Sequence, residues 1–583
     1  MKILENQELK DFIEKFALLN AIKHNGKAEF KSVLGKVLSE KPALKPLIKE
    51  LTILINSVIN EVNNLPLETQ IKRIEEKWPN LFLKEKIKEE KRLPPLPNVE
   101  KYSTIVTRFS PNPDCVLHLG SLRAIILSHE YARMYKGKFI LRFEDTDPRL
   151  KRSSLKFYDD IKEDLLWLNC EWDEEYIQSD RIPIYYEYAE KLIELGGGYV
   201  CTCPKEDFLK RISASEACVC RGLPIEKHLE RWYKMLDGTF KEGEAVVRVK
   251  TELTHPNPAV RDWPALRIID PEKHPHPRVG KKYRVWPLYN FACGLDDHLM
   301  SITHIIRGKE HYTNMIRQKY LYNYFGWSYP DAIHYGRLKI VGAELSKSKI
   351  IEKVSNKDVE GYDDPRLATL KALKRRGITP ECLRKLVLDI GPKPVDVTLS
   401  WENIYAINRK IIDPICNRYF CVLNPTRIII NEIKENLIAK IPLHPNYPER
   451  GEKTIEIKPV NSTIELLISR TDLPIFQKNK IVRLMELFNI EIEFINEAGV
   501  TARFYSKSYE EARKLKAPLI HWVSPLENLN IEVVMPTAEK IYGKAETALS
   551  KEKIGNIVQL VRFGFARIDE KLENKIILYY THE

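Results

Sequence analysis

Residues 103–135, STIVTRFSPNPDCVLHLGSLRAIILSHEYARMY, decide the fold class of this chain. The opening STIVTRFS is rich in β-branched residues and predicts a strand, whereas the stretch from Ser121 onward has the apolar spacing of a helix. A second strand is predicted at residues 138–145, KFILRFED. Strand, helix and strand in this order predict a parallel α/β sheet, because two parallel strands need a crossover connection.

The turn between the first strand and the helix has features of a phosphate-binding loop. Pro111 and Gly120 shape the turn, and the helix that follows directs backbone N–H groups and the positive end of its dipole towards an anion. His118 can donate a hydrogen bond to phosphate oxygens, and glycine at 120 lets the backbone approach a nucleotide. An ordinary loop with a structural histidine is the alternative, since short motifs match by chance.

A second candidate segment, AELSKSKI at residues 343–350, follows the predicted last strand of the α/β unit. Lys347 and Lys349 flank Ser348 there. A short, flexible basic loop can close over a triphosphate and stabilise departing pyrophosphate. A solvated basic loop is the alternative for any isolated KSK.

Composition indicates a folded protein of several domains, with 583 residues, 43% of them hydrophobic and 30% charged. The excess of 12 positive charges favours a polyanionic partner. The N-terminal MKILENQELKDFIEKFALLN has neither a signal-peptide core nor a membrane span, so we expect a cytoplasmic protein that does not enter membranes. Its ten cysteines are expected as thiols or metal ligands.

The pattern also predicts how the chain is organised. Residues up to Leu83 are helical in pattern, and residues 84–101 look like an exposed, proline-containing linker with a boundary near Lys101. Residues 180–286 are irregular and suggest an insertion, after which the sheet is expected to resume at Tyr289. The segment 304–327 is predicted as a turn and a helix, and short β-branched runs from Trp401 onward predict all-β barrels.

Five segments together resemble the archaeal-type glutamyl-tRNA synthetases, a family of class I aminoacyl-tRNA synthetases. They are TRFSPNPDCVLHLGSLRA, FILRFEDTDP, DDHLMSITHIIRGKEH, GYDDPRLATLKALKRRG and LSKSK. The family's histidine-isoleucine-glycine-histidine signature is present as residues 118–121, HLGS, without the second histidine. Its lysine-methionine-serine-lysine-serine signature is present as residues 344–348, ELSKS, without the first lysine.

The resemblance implies a multidomain α/β architecture built on a class I Rossmann-like catalytic domain. Its parts would be an N-terminal helical domain at 1–97, the catalytic halves at 98–179 and 288–345, a tRNA acceptor-binding insertion at 180–287, a helical connector with the KSK loop at 346–400, and tandem anticodon-binding β-barrels at 401–583.

The same resemblance assigns the site residues. The catalytic residues would be His118, Lys347 and Lys349. ATP would bind at Pro111, His118, Gly120, Ser121, Leu345, Ser346, Lys347 and Ser348. Glutamate would bind at Arg108, Ser110, Glu144, Tyr289, Cys293 and Arg307, with Glu144 facing the α-ammonium group and the arginines facing carboxylates. An arginine fork suits a carboxylate better than an amide, so Arg307 favours glutamate over glutamine.

The implied reaction is attack of the glutamate carboxylate on the α-phosphate of ATP, with Mg²⁺ on the phosphates, and transfer of the acyl group to tRNA. The partners would be tRNA(Glu), with tRNA(Gln) as a second candidate, and the chain is expected to act as a monomer. The connector is expected to contact tRNA at Asp363, Arg366, Arg375 and Arg376, with the arginines suited to its phosphates.

Four cysteines cluster in the predicted insertion, as CTC and CVC separated by fourteen residues. Four thiolates can hold a tetrahedral zinc ion, and some relatives carry a similar site in this insertion; four reduced thiols in loops are the alternative. The candidate ligands are Cys201, Cys203, Cys218 and Cys220.

Three other functions remain open at this point. A glutaminyl-tRNA synthetase shares the architecture, but Arg307 argues against it. A small-molecule nucleotidyltransferase uses a similar phosphate loop but needs no long β-rich tail. A non-catalytic tRNA-binding scaffold would not be expected to keep His118, Lys347 and Glu144 together.

Overall fold

The structure is a computed structural model, which describes residues 7–23, 26–78, 93–149, 154–496 and 499–583. The chain forms two compact units, Met1–Arg92 and Leu93–Glu583. Among the described residues, no helix combines the length and the apolar character needed to cross a bilayer.

The first unit is helical, as its three- and four-residue apolar spacing predicts. The described helices are α1 (Gln7–Lys23), α2 (Phe30–Glu40), α3 (Ile48–Asn63) and α4 (Leu67–Lys77). Their facing sides bury Ile13, Ile55, Val58 and Ile74 in one core. Nε2 of the buried Gln70 donates hydrogen bonds to backbone carbonyl groups, whereas its Oε1 has no hydrogen-bond partner among the described residues.

The described part of the predicted exposed linker is not exposed throughout. Residues 84–92 lie outside the described residues, but Leu93 and Leu96 are buried in the core of the second unit. The Tyr131 hydroxyl donates to Pro94 O over 3.0 Å. The second unit therefore begins at Leu93 rather than near Lys101, because prolines between apolar residues do not stop those residues from packing.

The second unit begins with the predicted parallel sheet. Its elements are β1 (Val106–Phe109), α5 (Leu122–Met134), β2 (Lys138–Phe143), α6 (Leu155–Trp167) and β3 (Glu174–Ile177). The strands lie in the order β1–β2–β3 and all run parallel, which confirms the prediction from residues 103–145.

The segment predicted as an irregular insertion is regular in the structure. It contains α7 (Ile182–Glu194), β4 (Gly198–Cys201), α8 (Lys205–Ser213), α9 (Ile225–Leu236), β5 (Val246–Val249), β6 (Pro264–Ile268) and β7 (Val285–Pro287). The four strands form an antiparallel sheet over a separate core that buries Trp232, Trp263 and Trp286. Proline, histidine and cysteine residues concealed this regularity because they break the two-residue alternation of the strands.

The parallel strands resume later than predicted. Tyr289 begins a helix, and the next elements are α10 (Tyr289–Leu299), β8 (His304–Gly308), α11 (Tyr312–Phe325), β9 (Asp331–Tyr335), β10 (Leu338–Ile340) and α12 (Lys347–Ser355). The HIIRG run, predicted as part of a turn, is the buried strand β8, which lies beside β1 and pairs in parallel with β9. The basic segment is less loop-like than predicted, because Lys347 starts α12.

The connector is helical, but its second half extends into the region predicted as all-β. It contains α13 (Leu370–Arg375), α14 (Pro380–Ile390), β11 (Val397–Leu399) and α15 (Trp401–Ile412). Ser400 and Asn403 form a capping box at the start of α15, which explains why a helix begins there. The β-rich region starts at Arg418 instead of Trp401.

The remaining chain forms two main sheets, each over its own hydrophobic core. A seven-stranded sheet contains β12 (Arg418–Tyr419), β13 (Cys421–Leu423), β22 (Asn528–Val534), β23 (Lys540–Glu546), β24 (Ile557–Leu560), β25 (Gly564–Leu572) and β26 (Lys575–His582). A six-stranded sheet contains β14 (Pro425–Asn431), β17 (Ile464–Ser469), β18 (Ile481–Leu484), β19 (Asn489–Asn496), β20 (Gly499–Ser506) and β21 (Leu519–Ile520). The hairpin β15 (Leu437–Pro442) and β16 (Glu452–Ile457) and the short helix α16 (Tyr509–Lys514) complete the region.

Candidate active site

His118 lies between β1 and α5, at the start of a short 3₁₀ turn. Its Nδ1 accepts a hydrogen bond from the Gly120 backbone N–H at 3.0 Å, so the neutral ring carries its proton on Nε2. Backbone hydrogen bonds from Leu119 N to Ala368 O and from Leu370 N to Leu117 O hold the loop on both sides. The ring is thereby fixed as a hydrogen-bond donor at the predicted phosphate site.

The structure shows a steric reason for glycine at position 120, beside the predicted approach of the backbone to a nucleotide. A Cβ at this position would lie 2.7 Å from His118 Cε1 and 2.9 Å from His118 Nδ1. Real Cβ atoms do not approach ring atoms so closely, because repulsion rises steeply at that distance. The glycine therefore makes room for the imidazole in its observed orientation.

The two lysines of the basic segment have different surroundings. Lys347 Nζ lies 2.8 Å from Asp114 Oδ1 and 3.4 Å from Asn112 O, so it contacts the loop that precedes His118. Lys349 Nζ lies 3.1 Å from Glu344 Oε2, and its side chain is 65% exposed. The structure thus brings Lys347 to the predicted ATP site and directs Lys349 away from the loop.

The electrostatics of His118 follow from this arrangement. Burial lowers the pKa of His118 to about 4, and the Lys347 ammonium acts in the same direction. The imidazole is therefore neutral at pH 7. A neutral ring with Nε2–H can donate to a phosphate oxygen without adding a positive charge of its own.

The predicted glutamate residues include a cluster of buried and half-buried side chains beside this loop, which is called the pocket below. Arg108 Nε lies 3.1 Å from Asp297 Oδ1, and Arg142 Nη2 lies 3.0 Å from Glu144 Oε1. The Glu144 N–H donates to Pro111 O at 2.9 Å, which connects the pocket directly to the phosphate loop. The two predicted sites are therefore neighbours.

Arg307 occupies one wall of the pocket and is 5% exposed. Its guanidinium donates to Gln318 Oε1 at 3.2 Å and to the Tyr329 hydroxyl at 2.9 Å. These partners are neutral and leave its positive charge without a carboxylate partner among its hydrogen bonds in the described part of the chain. Such a cation is suited to an anionic ligand.

The other predicted glutamate residues lie in the same pocket. The electrostatic environment of Tyr289 includes Cys293, Glu144, Arg307 and Arg108, so these side chains are mutually close. Burial raises the pKa of the Cys293 thiol to about 12, which keeps it protonated. The Ser110 hydroxyl is buried and has no hydrogen-bond partner among the described residues. An unpaired buried hydroxyl is costly, so a ligand atom would satisfy it.

Sequence reasoning missed two charged residues of this pocket, Arg142 and Asp297. Both are fully or almost fully buried, and Arg142 Nη1 lies 2.8 Å from Asp297 Oδ1. Burial opposes ionisation of Asp297, but Arg108 and Arg142 prevail and hold its pKa at about 2. The available signal was charge within otherwise apolar sequence: an arginine in FILRF and two aspartates in GLDDHL.

A family model described as the catalytic domain of the class I tRNA synthetases (E and Q) matches residues 104–414. Two further models, both described as anticodon-binding domains of the same synthetases, match residues 416–508 and 519–569. The chain belongs to the class I (E and Q) tRNA synthetases.

Relatives of this synthetase align with it over almost its whole length. Glutamate–tRNA ligases of Thermococcus kodakarensis and Pyrococcus furiosus are each 51% identical to it, and each alignment covers 99% of this chain and 100% of the relative. A solved glutamate tRNA ligase from Elizabethkingia meningosepticum, in complex with its amino acid, is 20% identical with a TM-score of 0.40 and covers 54% of this chain and 71% of that chain.

Four of the ten cysteines of this synthetase form a compact cluster in the predicted insertion. Their four Sγ atoms all lie within 4.8 Å of one another, at Cys201, Cys203, Cys218 and Cys220. Two Sγ pairs are separated by 3.8 Å and 3.7 Å. Tetrahedral zinc with Zn–S bonds of about 2.3 Å requires sulfur separations of about 3.8 Å, so the donor set fits this metal.

The connector residues predicted to contact tRNA differ in how far their side chains are exposed to solvent. Arg366 is 40% exposed in its side chain and pairs with Asp364. Arg375 forms ion pairs with Asp363 at 3.0 Å and with Asp569 at 2.8 Å, which joins the connector to the seven-stranded sheet.

Arg376 does not suit the predicted phosphate contact. It is 2% exposed, donates to the Tyr405 hydroxyl at 2.6 Å and lies over the Trp401 ring. Its guanidinium packs inside the connector against an aromatic ring, and its apolar stem is buried with it. A phosphate could reach it only if this packing opened.

Proposed function

We propose that this synthetase activates L-glutamate with ATP to glutamyl-adenylate and transfers the glutamyl group to the 3′ end of tRNA(Glu). The observation that carries the proposal is the position of Arg307 in a buried, positively charged pocket that Glu144 and Pro111 connect to the loop of His118. Two relatives that align with this chain over their full length are glutamate–tRNA ligases.

Charge favours glutamate over glutamine in this pocket. The charged groups that act most strongly on Tyr289 and Cys293 are the guanidiniums of Arg108, Arg142 and Arg307 and the carboxylates of Glu144 and Asp297. With both acids ionised, one positive charge is in excess. Glutamate carries one net negative charge and neutralises it, whereas glutamine carries none and would leave a buried cation unpaired.

The proposed chemistry has two steps and needs no enzyme nucleophile. A carboxylate oxygen of glutamate attacks the α-phosphorus of ATP, which enters with Mg²⁺ on its phosphates, and the bond to pyrophosphate breaks. A ribose hydroxyl at the end of the tRNA then attacks the acyl carbon and releases AMP. The protein contributes position and electrostatic stabilisation.

Within these steps, His118 would donate from Nε2–H to phosphate oxygens, and Lys347 would exchange Asp114 for the departing pyrophosphate. The backbone at Pro111, Gly120 and Ser121 and the segment Leu345–Ser348 would surround the nucleotide. Lys349 remains a candidate for the same role, although its pairing with Glu344 favours Lys347. Glu144 would accept from the α-ammonium group of glutamate.

We further propose that the cysteine cluster holds a structural zinc ion. Cys201, Cys203, Cys218 and Cys220 would each supply one thiolate, and the ion would fix the CTC and CVC turns against each other. The cluster lies in the predicted acceptor-binding insertion and is separate from the nucleotide loop.

We propose that tRNA phosphates contact the exposed face of the connector, at Arg366 and the exposed Lys374. Arg375 and Asp363 would hold the connector against the β-rich region rather than bind phosphate alone. The sequence resemblance implies a cytoplasmic monomer, and tRNA(Gln) stays a second candidate partner beside tRNA(Glu).

Charging assays test this function directly. Purified tRNA(Glu) and tRNA(Gln) are each incubated with the protein, ATP and labelled glutamate or glutamine, and ATP–pyrophosphate exchange is measured with and without tRNA. We expect glutamate on tRNA(Glu) and no glutamine on either tRNA. Preferred charging with glutamine would replace the proposal with the glutaminyl alternative. Exchange without any charging would favour a small-molecule nucleotidyltransferase, and neither activity would favour a scaffold.

A further inference from the structure

Two adjacent aspartates of α10, Asp296 and Asp297, are both buried and both paired with arginine, but they hold different parts of the chain. Asp296 lies 2.9 Å from Arg181 Nε and 2.6 Å from the Tyr185 hydroxyl, so it holds the chain at the start of the predicted insertion. Asp297 faces a different side of the helix, towards the amino acid pocket. Neighbouring residues of a helix point about 100° apart, which explains this division.

Asp297 holds two arginines at once. Its Oδ1 accepts from Arg108 Nε at 3.1 Å and from Arg142 Nη1 at 2.8 Å, and its Oδ2 accepts from Arg108 Nη2 at 3.4 Å. The Nε and Nη2 donors of Arg108 are thereby paired with Asp297. The rest of that guanidinium can face a ligand, in an orientation that Asp297 sets.

Arg142 connects Asp297 to Glu144. Its side chain is completely buried, so it cannot touch a substrate in the pocket. Its Nη2 donates to Glu144 Oε1 at 3.0 Å and to Cys293 Sγ at 3.3 Å. The groups proposed to face the carboxylate and the ammonium of glutamate are thus both held by one buried ion pair.

We infer that Asp297 and Arg142 are positioning residues for the amino acid, which fix Arg108 and Glu144 at the separation that a bound glutamate needs. This inference rests on the proposed function. Asp297 also sets the charge of the pocket, because without it two positive charges would be in excess and the guanidiniums of Arg108 and Arg142 would repel each other. A shift of about 1 Å in a binding group can lower catalytic efficiency by about 100-fold.

The test compares Asp297→Asn with Asp296→Asn. Each substitution removes one buried carboxylate charge from the same helix and leaves an arginine without its partner, so both are expected to reduce thermal stability. Only Asp297→Asn should disturb the pocket. We expect its KM for glutamate in tRNA(Glu) charging to rise about tenfold or more while its KM for ATP stays within about twofold. Asp296→Asn should leave both constants within about twofold of the wild type.

A third variant, Arg142→Lys, keeps the positive charge but replaces the guanidinium fork, so one ammonium cannot hold Asp297 and Glu144 in the same geometry. It should also raise the KM for glutamate, and it decides the question if Asp297→Asn does not fold. Equal KM changes in the two aspartate variants, or a wild-type KM in Arg142→Lys, would overturn the inference. A wild-type protein that charges no tRNA with glutamate would instead refute the proposed function.

Discussion

Lys347 Nζ lies 2.8 Å from Asp114 Oδ1, so the first residue of α12 is paired with the loop that leads to His118. The two motif segments are more than 220 residues apart in sequence, yet this ion pair joins them. The Asp114 carboxylate is the partner of the Lys347 ammonium. The triphosphate of ATP offers the same ammonium an anionic partner with a higher charge.

The contrast between Lys347 and Lys349 leads to the first prediction. Replacing Lys347 by Met should lower kcat for ATP–pyrophosphate exchange about 100-fold, because a positive charge next to the departing pyrophosphate is lost. Lys349→Met is the matched control and should change kcat by about twofold or less, since its ammonium pairs with Glu344 of its own segment and not with the loop that leads to His118. A larger loss in Lys349→Met than in Lys347→Met would reverse this assignment.

A second prediction concerns the space next to the His118 ring. Gly120→Ala would place a Cβ 2.7 Å from His118 Cε1, so the ring must turn and the bond from Gly120 N–H must break. We expect the rate of pyrophosphate exchange to fall about tenfold or more, with the KM for glutamate nearly unchanged.

The matched control for Gly120→Ala is Gly35→Ala. Gly35 lies within α2, and a Cβ there meets no atom within 4 Å. Alanine favours a helix over glycine by about 0.5–1 kcal/mol, so this variant should gain stability and keep full activity. If Gly120→Ala were as active as Gly35→Ala, the steric account of His118 would be wrong.

Much of this site could be predicted from the sequence because charged or polar residues follow or interrupt apolar strands there. Arg108, Glu144 and Arg307 are at or next to strand ends, and each lies in the predicted pocket. Asp297 and Arg142 were not predicted, because each depends on the other for neutralisation. The sequence alone does not show which buried charge is paired with which. Contacts between distant segments carry that information.

The errors in the fold have a similar origin. Local pattern favoured β structure at Trp401, but the Ser400–Asn403 capping box and the packing of Arg376 on Trp401 stabilise a helix instead. Arg376 itself was predicted to contact tRNA from an exposed position. Its aromatic neighbours come from a later segment of the chain, which single-segment reasoning does not reveal.

The protonation of His118 gives a third prediction. Burial and Lys347 lower its pKa to about 4, from an ordinary value of about 6.5. The fold therefore favours the neutral ring, and the stability that this provides is present above pH about 6.5 and is lost as the pH falls towards about 4. Charging should accordingly show no titration of His118 between pH 5 and pH 8.

NMR of the ¹³Cε1 signals of labelled histidine can check this pKa, with His118→Gln to assign the resonance. In Lys347→Met the cation is absent, so the pKa of His118 should rise but stay below about 6.5, because burial remains. An ordinary pKa of about 6.5 in the wild type would contradict the neutral-donor role.

The fourth prediction is that the purified protein contains about one zinc ion per chain, bound by the cysteine cluster. Replacing Cys218 by Ser should abolish the metal, measured by mass spectrometry of the metal content, and should lower the thermal stability of the protein. Cys170→Ser is the control, because this thiol is buried but lies outside the cluster. Zinc-free wild type that keeps its stability after dialysis against a chelator would favour four reduced thiols.

The last prediction concerns specificity for glutamate. Arg307→Gln removes a pocket guanidinium whose hydrogen-bond partners among the described residues, Gln318, Tyr329 and His334, are all neutral, so the excess positive charge of the pocket disappears. Losing a buried charge-assisted contact costs about 2–4 kcal/mol, which corresponds to a decrease of about 30- to 1,000-fold in kcat/KM for glutamate. Glutamine, which is neutral overall, should lose much less.

The ratio of kcat/KM for glutamate to that for glutamine should therefore fall in Arg307→Gln. Arg337→Gln is the control, because its side chain is 61% exposed and its guanidinium lies 3.7 Å from Glu310 outside the pocket. The ratio in that variant should match the wild type, since an exposed pair in water contributes little. If Arg307→Gln kept the wild-type ratio, the pocket would not select its substrate by charge, and the preference for glutamate would need another physical cause.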